Sequence, residues 1–288
     1  MSQLLIVGAG GMLGSEVYSQ LRDQAYEIEC PSSTELDIRN LDLVESYIGD
    51  IKPDWIINCA AWTRVDDSEN FPKFAREVNE VGVRNIAQTA SKFQARLIHI
   101  STDYVFDGRS NVPYAESDQP NPINEYGLSK YLGEQSIKDS YSQNSFIVRT
   151  SWLYGENGNN FVNTMVHKAL KNELVKVVDD QVGSPTSSRD LAKAVDEIFQ
   201  HTPEPGIYHY SNLGECSWFE FAQEIYALVG ADVDLVEPIP SKSLNLRASR
   251  PTYSVLSKDK WIKSGLSKPP HWKQSLNSTI SSLLETEK

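Results

Sequence analysis

The chain has 288 residues, and its 27 lysines and arginines against 39 aspartates and glutamates give a formal net charge of −12. This acidic balance argues against nucleic acids and anionic membranes as partners. No apolar stretch approaches the length that spans a bilayer, and no basic region precedes the short apolar run at the N-terminus, so we expect a cytoplasmic protein.

The N-terminal apolar run Leu4 to Val7 leads into a glycine-rich turn and then a segment with helical character. A buried strand, a glycine turn and a helix start together form a phosphate-binding cradle, since glycines let the backbone approach and the helix N-terminus favours negative charge. An ordinary glycine-rich turn is the alternative, but the flanking strand and helix favour a dinucleotide site. Its predicted residues are Gly8, Gly10, Gly11, Met12, Leu13 and Gly14.

Short apolar runs alternate with longer amphipathic stretches through about residue 150, as βαβ units require. The predicted strands are Leu4 to Val7, Glu27 to Cys30, Trp55 to Cys59, Arg96 to Ser101 and Ser145 to Thr150, and the predicted helices are near 14–23, 41–49, 72–93 and 124–141. This order predicts an α/β fold, a Rossmann-type doubly wound parallel sheet, with residues 1–152 as the dinucleotide-binding domain.

The pattern changes after Trp152, where we predict a smaller C-terminal lobe, 153–288, some of whose segments are able to return to the first sheet. A helix is expected at Phe161 to Leu170 and a strand at Leu174 to Val178. Two further helix starts are read from capping boxes, and we assign these structural roles. They are Ser187-x-x-Asp190 and Ser217-x-x-Glu220.

A tyrosine and a lysine four residues apart, Tyr126 and Lys130, lie on one face of a predicted helix. We expect the ammonium to lie beside the phenol and lower its pKa, which lets a tyrosine exchange protons near neutral pH. Thr102, at the end of an apolar run, is placed to hydrogen-bond the same reacting oxygen. The three residues are the predicted catalytic group.

No metal site can be read from the three cysteines, which are widely spaced. His99 lies inside an apolar run and is interpreted as a hydrogen-bonded core histidine. Glu16 is interpreted as a glutamate on the surface of the first predicted helix, and no metal is predicted.

Several spaced motifs together resemble the extended short-chain dehydrogenase/reductases and, more narrowly, the dTDP-4-dehydrorhamnose reductases. The resemblance covers nearly the whole chain. It rests on the glycine turn, Asn58-Cys59-Ala60-Ala61, Thr102-Asp103-Tyr104-Val105-Phe106, Tyr126-Gly127-x-x-Lys130, Arg149-Thr150-Ser151-Trp152, Gly158-Asn159-Asn160-Phe161, Asp179-Asp180-Gln181 and Ser249-Arg250-Pro251.

The resemblance implies reduction of the 4-keto group of a dTDP-6-deoxy-4-keto-hexose by NADPH or NADH, giving dTDP-L-rhamnose. Tyr126 would donate the proton, Lys130 would hold the nicotinamide ribose, and Thr102 would orient the keto oxygen. Negative charge that develops on that oxygen needs such a donor and proton source. Asp103 and Trp152 match positions that contact the sugar.

Further cofactor contacts are also implied by the resemblance. Ala60, Ala61 and Trp62 follow a strand end that faces the dinucleotide, and Asp37-Ile38 would approach the adenine. Asn79 is either part of the proton path or a helix-bend residue, and is left out of the predicted site.

The end of the second strand departs from the usual pattern. An acidic residue there would select the ribose diol of NAD, but the chain has Cys30-Pro31-Ser32-Ser33. No nearby arginine is expected to claim a phosphate, so the choice between NADH and NADPH stays open. In this acidic chain the substrate diphosphate needs a local arginine, and we assign that role to Arg250, with Arg247 as second choice.

Two alternatives from other classes remain. One is a nucleotide-sugar epimerase or dehydratase of the same superfamily, which uses the same Tyr and Lys but keeps its cofactor. The other is a non-catalytic regulatory subunit of methionine adenosyltransferase, against which the intact Thr102, Tyr126 and Lys130 argue. Besides the nucleotide sugar, we expect a second copy of the chain as a partner, in a homodimer.

Overall fold

A computed structural model describes residues 2–286 of the chain. The strands are β1 (Ser2–Val7), β2 (Tyr26–Glu29), β3 (Trp55–Asn58), β4 (Arg96–Thr102), β5 (Ser145–Thr150), β6 (Leu153–Tyr154), β7 (Val175–Val178), β8 (Val182–Gly183), β9 (Thr186–Ser187), β10 (Gly206–His209), β11 (Cys216–Ser217) and β12 (Val236–Ile239). The helices are α1 (Met12–Leu21), α2 (Leu41–Ile51), α3 (Val65–Asn70), α4 (Pro72–Arg76), α5 (Val83–Phe93), α6 (Glu125–Tyr141), α7 (Phe161–Leu170), α8 (Ser188–His201), α9 (Trp218–Val229), α10 (Asp259–Lys263) and α11 (Trp272–Thr286).

Six strands form one sheet in the order β10-β5-β4-β3-β1-β2, and every neighbouring pair is parallel. The chain leaves β1 toward β2 and then returns to β3 on the other side of β1. In open α/β sheets such a reversal leaves a crevice at the carboxyl ends of the strands, where ligands bind. The predicted doubly wound sheet is confirmed.

Apolar residues of β1 alternate between the two faces of the sheet. Leu4 and Ile6 belong to a core cluster with α1 and α8, whereas Leu5 and Val7 belong to a second cluster with α2 and α5. All four are buried. Burying each such side chain contributes about 1.5–3 kcal/mol, so both helical layers are held firmly against the sheet.

Three elements of the C-terminal half belong to the sheet layer. β10 pairs with β5, α8 packs along α1, and Trp261 of α10 belongs to the same core cluster. A separate cluster forms around α7, α9 and α11, with the short pair β7 and β12 beside it. The chain therefore enters the C-terminal lobe, returns to the sheet and leaves it again.

Helix ends only partly follow the predicted caps. Ser217 and Glu220 form the predicted capping box of α9. The first predicted box is wrong: the Ser187 side chain makes no capping hydrogen bond, and its backbone N–H donates to Asn212 Oδ1 at 2.8 Å. Asp190 accepts from Asn212 and Ser275 instead, so its carboxylate makes tertiary contacts rather than a contact with the helix end.

The helix predicted over 72–93 is not continuous. It is divided into α4, a π-helical turn at Glu77–Gly82, and α5. A β-carbon on Gly82 would lie 2.6 Å from the Ile38 side chain, so the turn brings this backbone close to the loop after β2. Such π-helical turns occur often at functional sites. Within residues 2–286, no helix is long and apolar enough to cross a membrane.

Candidate active site

Two adjoining cavities lie at the carboxyl ends of the central strands. A cleft of about 500 Å³ is lined by Met12, Leu13, Gly14, Thr102, Asp103, Tyr126, Lys130 and Trp152, among others. A second cavity of about 750 Å³ is lined by Gly8, Asp37, Ile38, Ala60 and Trp62, and shares Gly11, Cys59 and Ala61 with the first. The structure thus brings the predicted site residues together, apart from Gly10 and Arg250.

The glycine turn after β1 is built by close backbone contacts. Gly8 has φ of +82°, and a β-carbon there would lie 2.7 Å from the Ala60 nitrogen. A β-carbon on Gly14 would lie 2.2 Å from the Gly8 oxygen, so α1 packs directly on the turn. Around Gly10 the space is open. Among residues 2–286 no side chain caps α1 at Gly11, which leaves the first N–H groups of the helix facing the groove for an anion.

The catalytic helix α6 begins directly after an asparagine that caps it. The Asn124 side chain accepts from the Gly127 N–H at 2.7 Å and so caps the helix. A β-carbon on Gly127 would lie 2.1 Å from the Tyr104 oxygen, so only glycine lets α6 approach the loop after β4. This contact places Tyr126 against Thr102, at the end of β4.

Burial controls the ionisation of the two groups on α6. Desolvation raises the pKa of Tyr126 to about 12, and the neighbouring Thr102 hydroxyl opposes the rise. Desolvation also lowers the pKa of Lys130 to about 8. The Lys130 Nζ donates to the Ile100 oxygen at 2.6 Å. The predicted lowering of the Tyr126 pKa is therefore wrong in this structure, because burial removes the hydration that a phenolate needs.

A buried polar chain lies behind Lys130. Its Nζ is 3.4 Å from His99 Nε2, and His99 Nδ1 is 3.1 Å from Asn58 Nδ2. Asn58 Oδ1 accepts from the Ala60 N–H at 3.1 Å. Burial lowers the pKa of His99 well below its usual value, and the ring stays neutral. His99 is thus the hydrogen-bonded core histidine that the sequence predicts, and it links the lysine to the loop after β3.

Asn79, on the π-helical turn, holds two parts of the site together. Its Oδ1 accepts from the Trp62 N–H at 2.8 Å, and its Nδ2 donates to the Trp62 oxygen at 2.9 Å. The same Nδ2 donates to Ser129 Oγ, which donates to the Tyr126 oxygen. Asn79 therefore ties the cavity wall at Trp62 to the catalytic helix, a positioning role that its omission from the predicted site missed.

Asp103 is a buried carboxyl beside the catalytic hydroxyl. Thr102 Oγ1 donates to Asp103 Oδ1 at 3.0 Å, and the side chain is 2% exposed. Within the described residues, Asp103 Oδ2 is buried and has no hydrogen-bond partner. Desolvation raises the pKa of Asp103 to about 7, although the hydroxyls of Ser254 and Thr102 oppose the rise. The carboxyl thus changes charge near neutral pH.

An aromatic wall closes the cleft on the side of the C-terminal lobe. Trp152, at φ of +47°, stacks on Trp218 with ring centroids 3.6 Å apart and planes 8° from parallel. Phe161 packs against Trp218 at 4.7 Å. A β-carbon on Gly183 would lie 2.4 Å from the Trp152 ring, so this glycine leaves room for the indole. Trp218 and Phe161 line the cleft but were read from the sequence only as parts of helices.

Arg250 lies at the edge of the cleft rather than in its lining. Its guanidinium forms a two-point ion pair with Asp66 on α3, and its charge acts on Tyr104, which lines the cleft. Asp66 also accepts from the backbone N–H groups of Arg247 and Ala248. These donors lower the pKa of Asp66 to about 2. The Arg247 guanidinium instead contacts Asn70.

The cavity beyond the glycine turn holds an arginine that the sequence analysis did not expect. Arg39 lines it, with Nη2 2.7 Å from Asp37 Oδ2 and its guanidinium 5.3 Å from the centre of the Phe74 ring. The expectation that no arginine lies near this cavity is therefore wrong. Arg39 follows the predicted Asp37-Ile38 pair directly, and that adjacency was the available signal.

A metal centre is not apparent in the part of the chain that the structure describes: residues 2–286 contain no group of three or more His, Cys, Asp or Glu placed to hold an ion. Burial raises the pKa of Glu16, next to the ion pair of Arg189 and Glu156.

Comparison with known proteins places the chain in a family. The model of the RmlD substrate binding domain matches residues 1–285. The chain is 40% identical over 272 residues to dTDP-4-keto-6-deoxy-D-glucose reductase of Streptomyces niveus, covering 94% of each, and 38% identical over 283 residues to dTDP-4-dehydrorhamnose reductase of Streptomyces griseus, covering 97% of this chain and 93% of the relative.

The structure is similar to a crystal structure of dTDP-4-dehydrorhamnose reductase from Bacillus anthracis in complex with NADP. The TM-score is 0.94 at 39% identity, with 98% of this chain and 99% of the other covered. The fold, the groove and the sequence agree, and the chain belongs to the dTDP-4-dehydrorhamnose reductase family of Rossmann-fold, NAD(P)-dependent oxidoreductases.

Proposed function

We propose that the protein reduces the 4-keto group of a dTDP-6-deoxy-4-keto-hexose with NADPH or NADH, giving dTDP-L-rhamnose. The observation that carries this proposal is the meeting of Thr102, Tyr126 and Lys130 in the cleft that adjoins the glycine turn. The Bacillus anthracis relative, crystallised in complex with NADP, supports the nicotinamide cofactor.

The residues of the groove fit a dinucleotide. The bare backbone at Gly8 and Gly14 leaves a cradle that β-carbons would fill, and the N-terminus of α1 offers N–H groups to a pyrophosphate. Asp37 and Ile38 would border the adenine, and Ala60, Ala61 and Trp62 the middle of the molecule. A bound nicotinamide supplies the hydride that the reduction needs.

The side chains in the cleft supply the remaining chemistry. The Thr102 hydroxyl orients the keto oxygen by donating a hydrogen bond to it, and the Tyr126 phenol gives its proton to the same oxygen as negative charge develops there. Lys130 is proposed to hold the nicotinamide ribose with its buried ammonium. Its pKa of about 8 keeps most of the population charged at neutral pH.

The sugar is proposed to lie on the aromatic wall. An indole face is an apolar platform for the C–H groups of a pyranose ring, and Trp152 presents one that Trp218 holds in place. Asp103 is proposed to contact the sugar, and Arg250 its diphosphate. A charge-assisted fork to phosphate oxygens offsets the long-range repulsion expected from a chain of net charge −12.

The test is a panel of nucleotide sugars assayed by the loss of NADPH or NADH absorbance, with the product configuration read by NMR. The panel includes dTDP-4-dehydrorhamnose and dTDP-4-keto-6-deoxy-D-glucose, because the two relatives in Streptomyces carry different substrate names. Stoichiometric oxidation of added cofactor supports a reductase. Sugar conversion without net cofactor consumption would indicate an epimerase or dehydratase instead.

The homodimer and the division at residue 152 stay predictions. Sedimentation velocity of the purified chain tests the first, and limited proteolysis near residue 152 tests the second.

A further inference from the structure

Asp103 has a property that sugar binding alone does not require. Its carboxyl is almost fully buried, one oxygen accepts from the catalytic Thr102 hydroxyl, and the other has no hydrogen-bond partner among the described residues. From this arrangement we infer that Asp103 is a proton-relay residue, which returns a proton to Tyr126 through the Thr102 hydroxyl after each turnover. The inference deepens the proposed function and rests on it.

Tyr126 needs such a source of protons. Once it has given its proton to the substrate oxygen it is a phenolate in a site where burial raises its pKa to about 12, so its charged form is strongly disfavoured. Lys130 approaches from the other side, where its Nζ donates to the Ile100 oxygen at 2.6 Å, so Asp103 offers a separate route that reaches Tyr126 through Thr102. The Cys59 thiol in the cleft also has a pKa raised to about 12, which makes it a poor proton donor at neutral pH.

The Thr102 hydroxyl is held where it can bridge the two groups. Its oxygen accepts from the Tyr104 N–H at 3.2 Å and lies 3.0 Å from Asp103 Oδ1, and the same hydroxyl acts on the Tyr126 phenol. A hydroxyl is both donor and acceptor, so it can receive one proton while it passes on another.

The relay balances as a proton transfer without any change in oxidation state. The O–H bond of protonated Asp103 breaks as a new O–H bond forms at Thr102 Oγ1, and the original Thr102 hydrogen moves to the phenolate oxygen of Tyr126. The net result is one proton moved from Asp103 to Tyr126. The carboxylate left behind regains its proton from water in the cleft that Asp103 lines.

The surroundings keep Asp103 able to hold a proton. Tyr104 and Tyr126 face it as neutral phenols, and both have raised pKa values. Arg250 and Asp66 act on the adjacent Tyr104 and form an ion pair with each other. Burial is the largest influence on the carboxyl itself, and its pKa of about 7 leaves a protonated fraction at neutral pH.

Asp103→Asn separates a relay from a binding role. The amide keeps the volume and an oxygen that accepts from Thr102, but it holds no exchangeable acid proton near pH 7. We expect kcat to fall about tenfold or more at pH 6, and we expect the loss of the proposed sugar contact to raise the Michaelis constant of the nucleotide sugar by a smaller factor than kcat falls. In the wild type, kcat should decline as the pH rises through about 7, and Asp103→Asn should lack that decline.

Ser254→Ala provides a matched tuning variant. The Ser254 hydroxyl lowers the pKa of Asp103, so its removal should move the decline of kcat to higher pH without abolishing activity. A residue that only shapes the site would not shift the pH profile in this direction.

Stability gives a readout that does not depend on turnover. Because the folded pKa of Asp103 is raised, its contribution to stability is fully present below pH 4 and is lost as the pH rises through about 7. As the pH rises over this range, the melting temperature of the wild type should therefore fall relative to that of Asp103→Asn.

An unchanged kcat and an unchanged pH profile in Asp103→Asn would overturn the relay, as would a raised Michaelis constant at constant kcat. If the wild type reduces no sugar of the panel, the proposed function fails first, and the relay fails with it.

Discussion

Asp66 holds Arg250 in a two-point ion pair at the edge of the cleft, with Nη2 2.6 Å from Oδ2 and Nη1 3.1 Å from Oδ1. The pair connects the C-terminal segment to α3, which follows the loop after β3. A diphosphate that binds Arg250 must therefore share the guanidinium with a carboxylate that is ionised throughout the physiological pH range.

Arg250→Ala is expected to raise the Michaelis constant of the nucleotide sugar about tenfold or more, the loss typical of a charge-assisted phosphate contact. The constant for the cofactor should change little. Arg247→Ala is the matched control, since Arg247 is a neighbouring cation whose side chain contacts Asn70. Wild-type constants in the Arg250 variant would show that the residue is structural.

Tyr126→Phe is expected to lower kcat by roughly 100-fold or more while folding and cofactor binding are preserved, because it removes the proton donor at almost constant volume. Tyr104→Phe is the control: this ring lies edge-on to Tyr126, with centroids 5.7 Å apart. Lys130→Ala should weaken cofactor binding as well as turnover. Near-normal turnover by folded Tyr126→Phe would refute the catalytic assignment.

Gly14→Ala is expected to abolish measurable dinucleotide binding and to lower the melting temperature, since the new methyl group would meet the Gly8 oxygen at 2.2 Å. Gly10→Ala, four residues earlier in the turn before α1, meets no atom within 4 Å and should keep wild-type stability. Titration followed by NADPH fluorescence compares the two. Equal affinities would show that close packing at Gly14 does not shape the cradle.

Trp218→Ala is expected to raise the Michaelis constant of the sugar about fivefold to tenfold, because Trp152 loses the ring that holds it in its left-handed conformation. Trp218→Phe keeps part of the stack, so its Michaelis constant for the sugar should lie between those of the wild type and Trp218→Ala. Steady-state kinetics at saturating cofactor measure the effect. A change confined to the cofactor constant would contradict the proposed place of the sugar.

NADPH is expected to be used at least as well as NADH, since no acidic residue ends β2 and Arg39 lines the cavity beside it. Arg39→Ala should raise the Michaelis constant of NADPH about tenfold with little effect on NADH, because only NADPH carries the extra phosphate. Arg22→Ala, at the exposed end of α1, is the control. A strong preference of the wild type for NADH would contradict this reading.

Local patterns in the sequence account for the sheet, the glycine turn and the spacing of Tyr126 and Lys130. They did not identify Trp218, because a residue inside a well-formed helix start is explained by the cap alone and nothing local indicates that Trp152 stacks on it. The Tyr126 pKa was predicted in the wrong direction for a similar reason: four-residue spacing gives proximity, whereas burial depends on the whole fold.

The return of α8 and β10 to the central sheet makes folding a property of the entire chain. Cutting at residue 152 would remove β10, one of the two neighbours of β5, and uncover the face of α1 against which Leu191, Val195 and Ile198 pack. An N-terminal fragment would then expose an unpaired strand edge and an apolar helix surface, and both features promote self-association. Heat or denaturant should accordingly unfold the protein in one cooperative step, and gene fragments split at that point should yield aggregates.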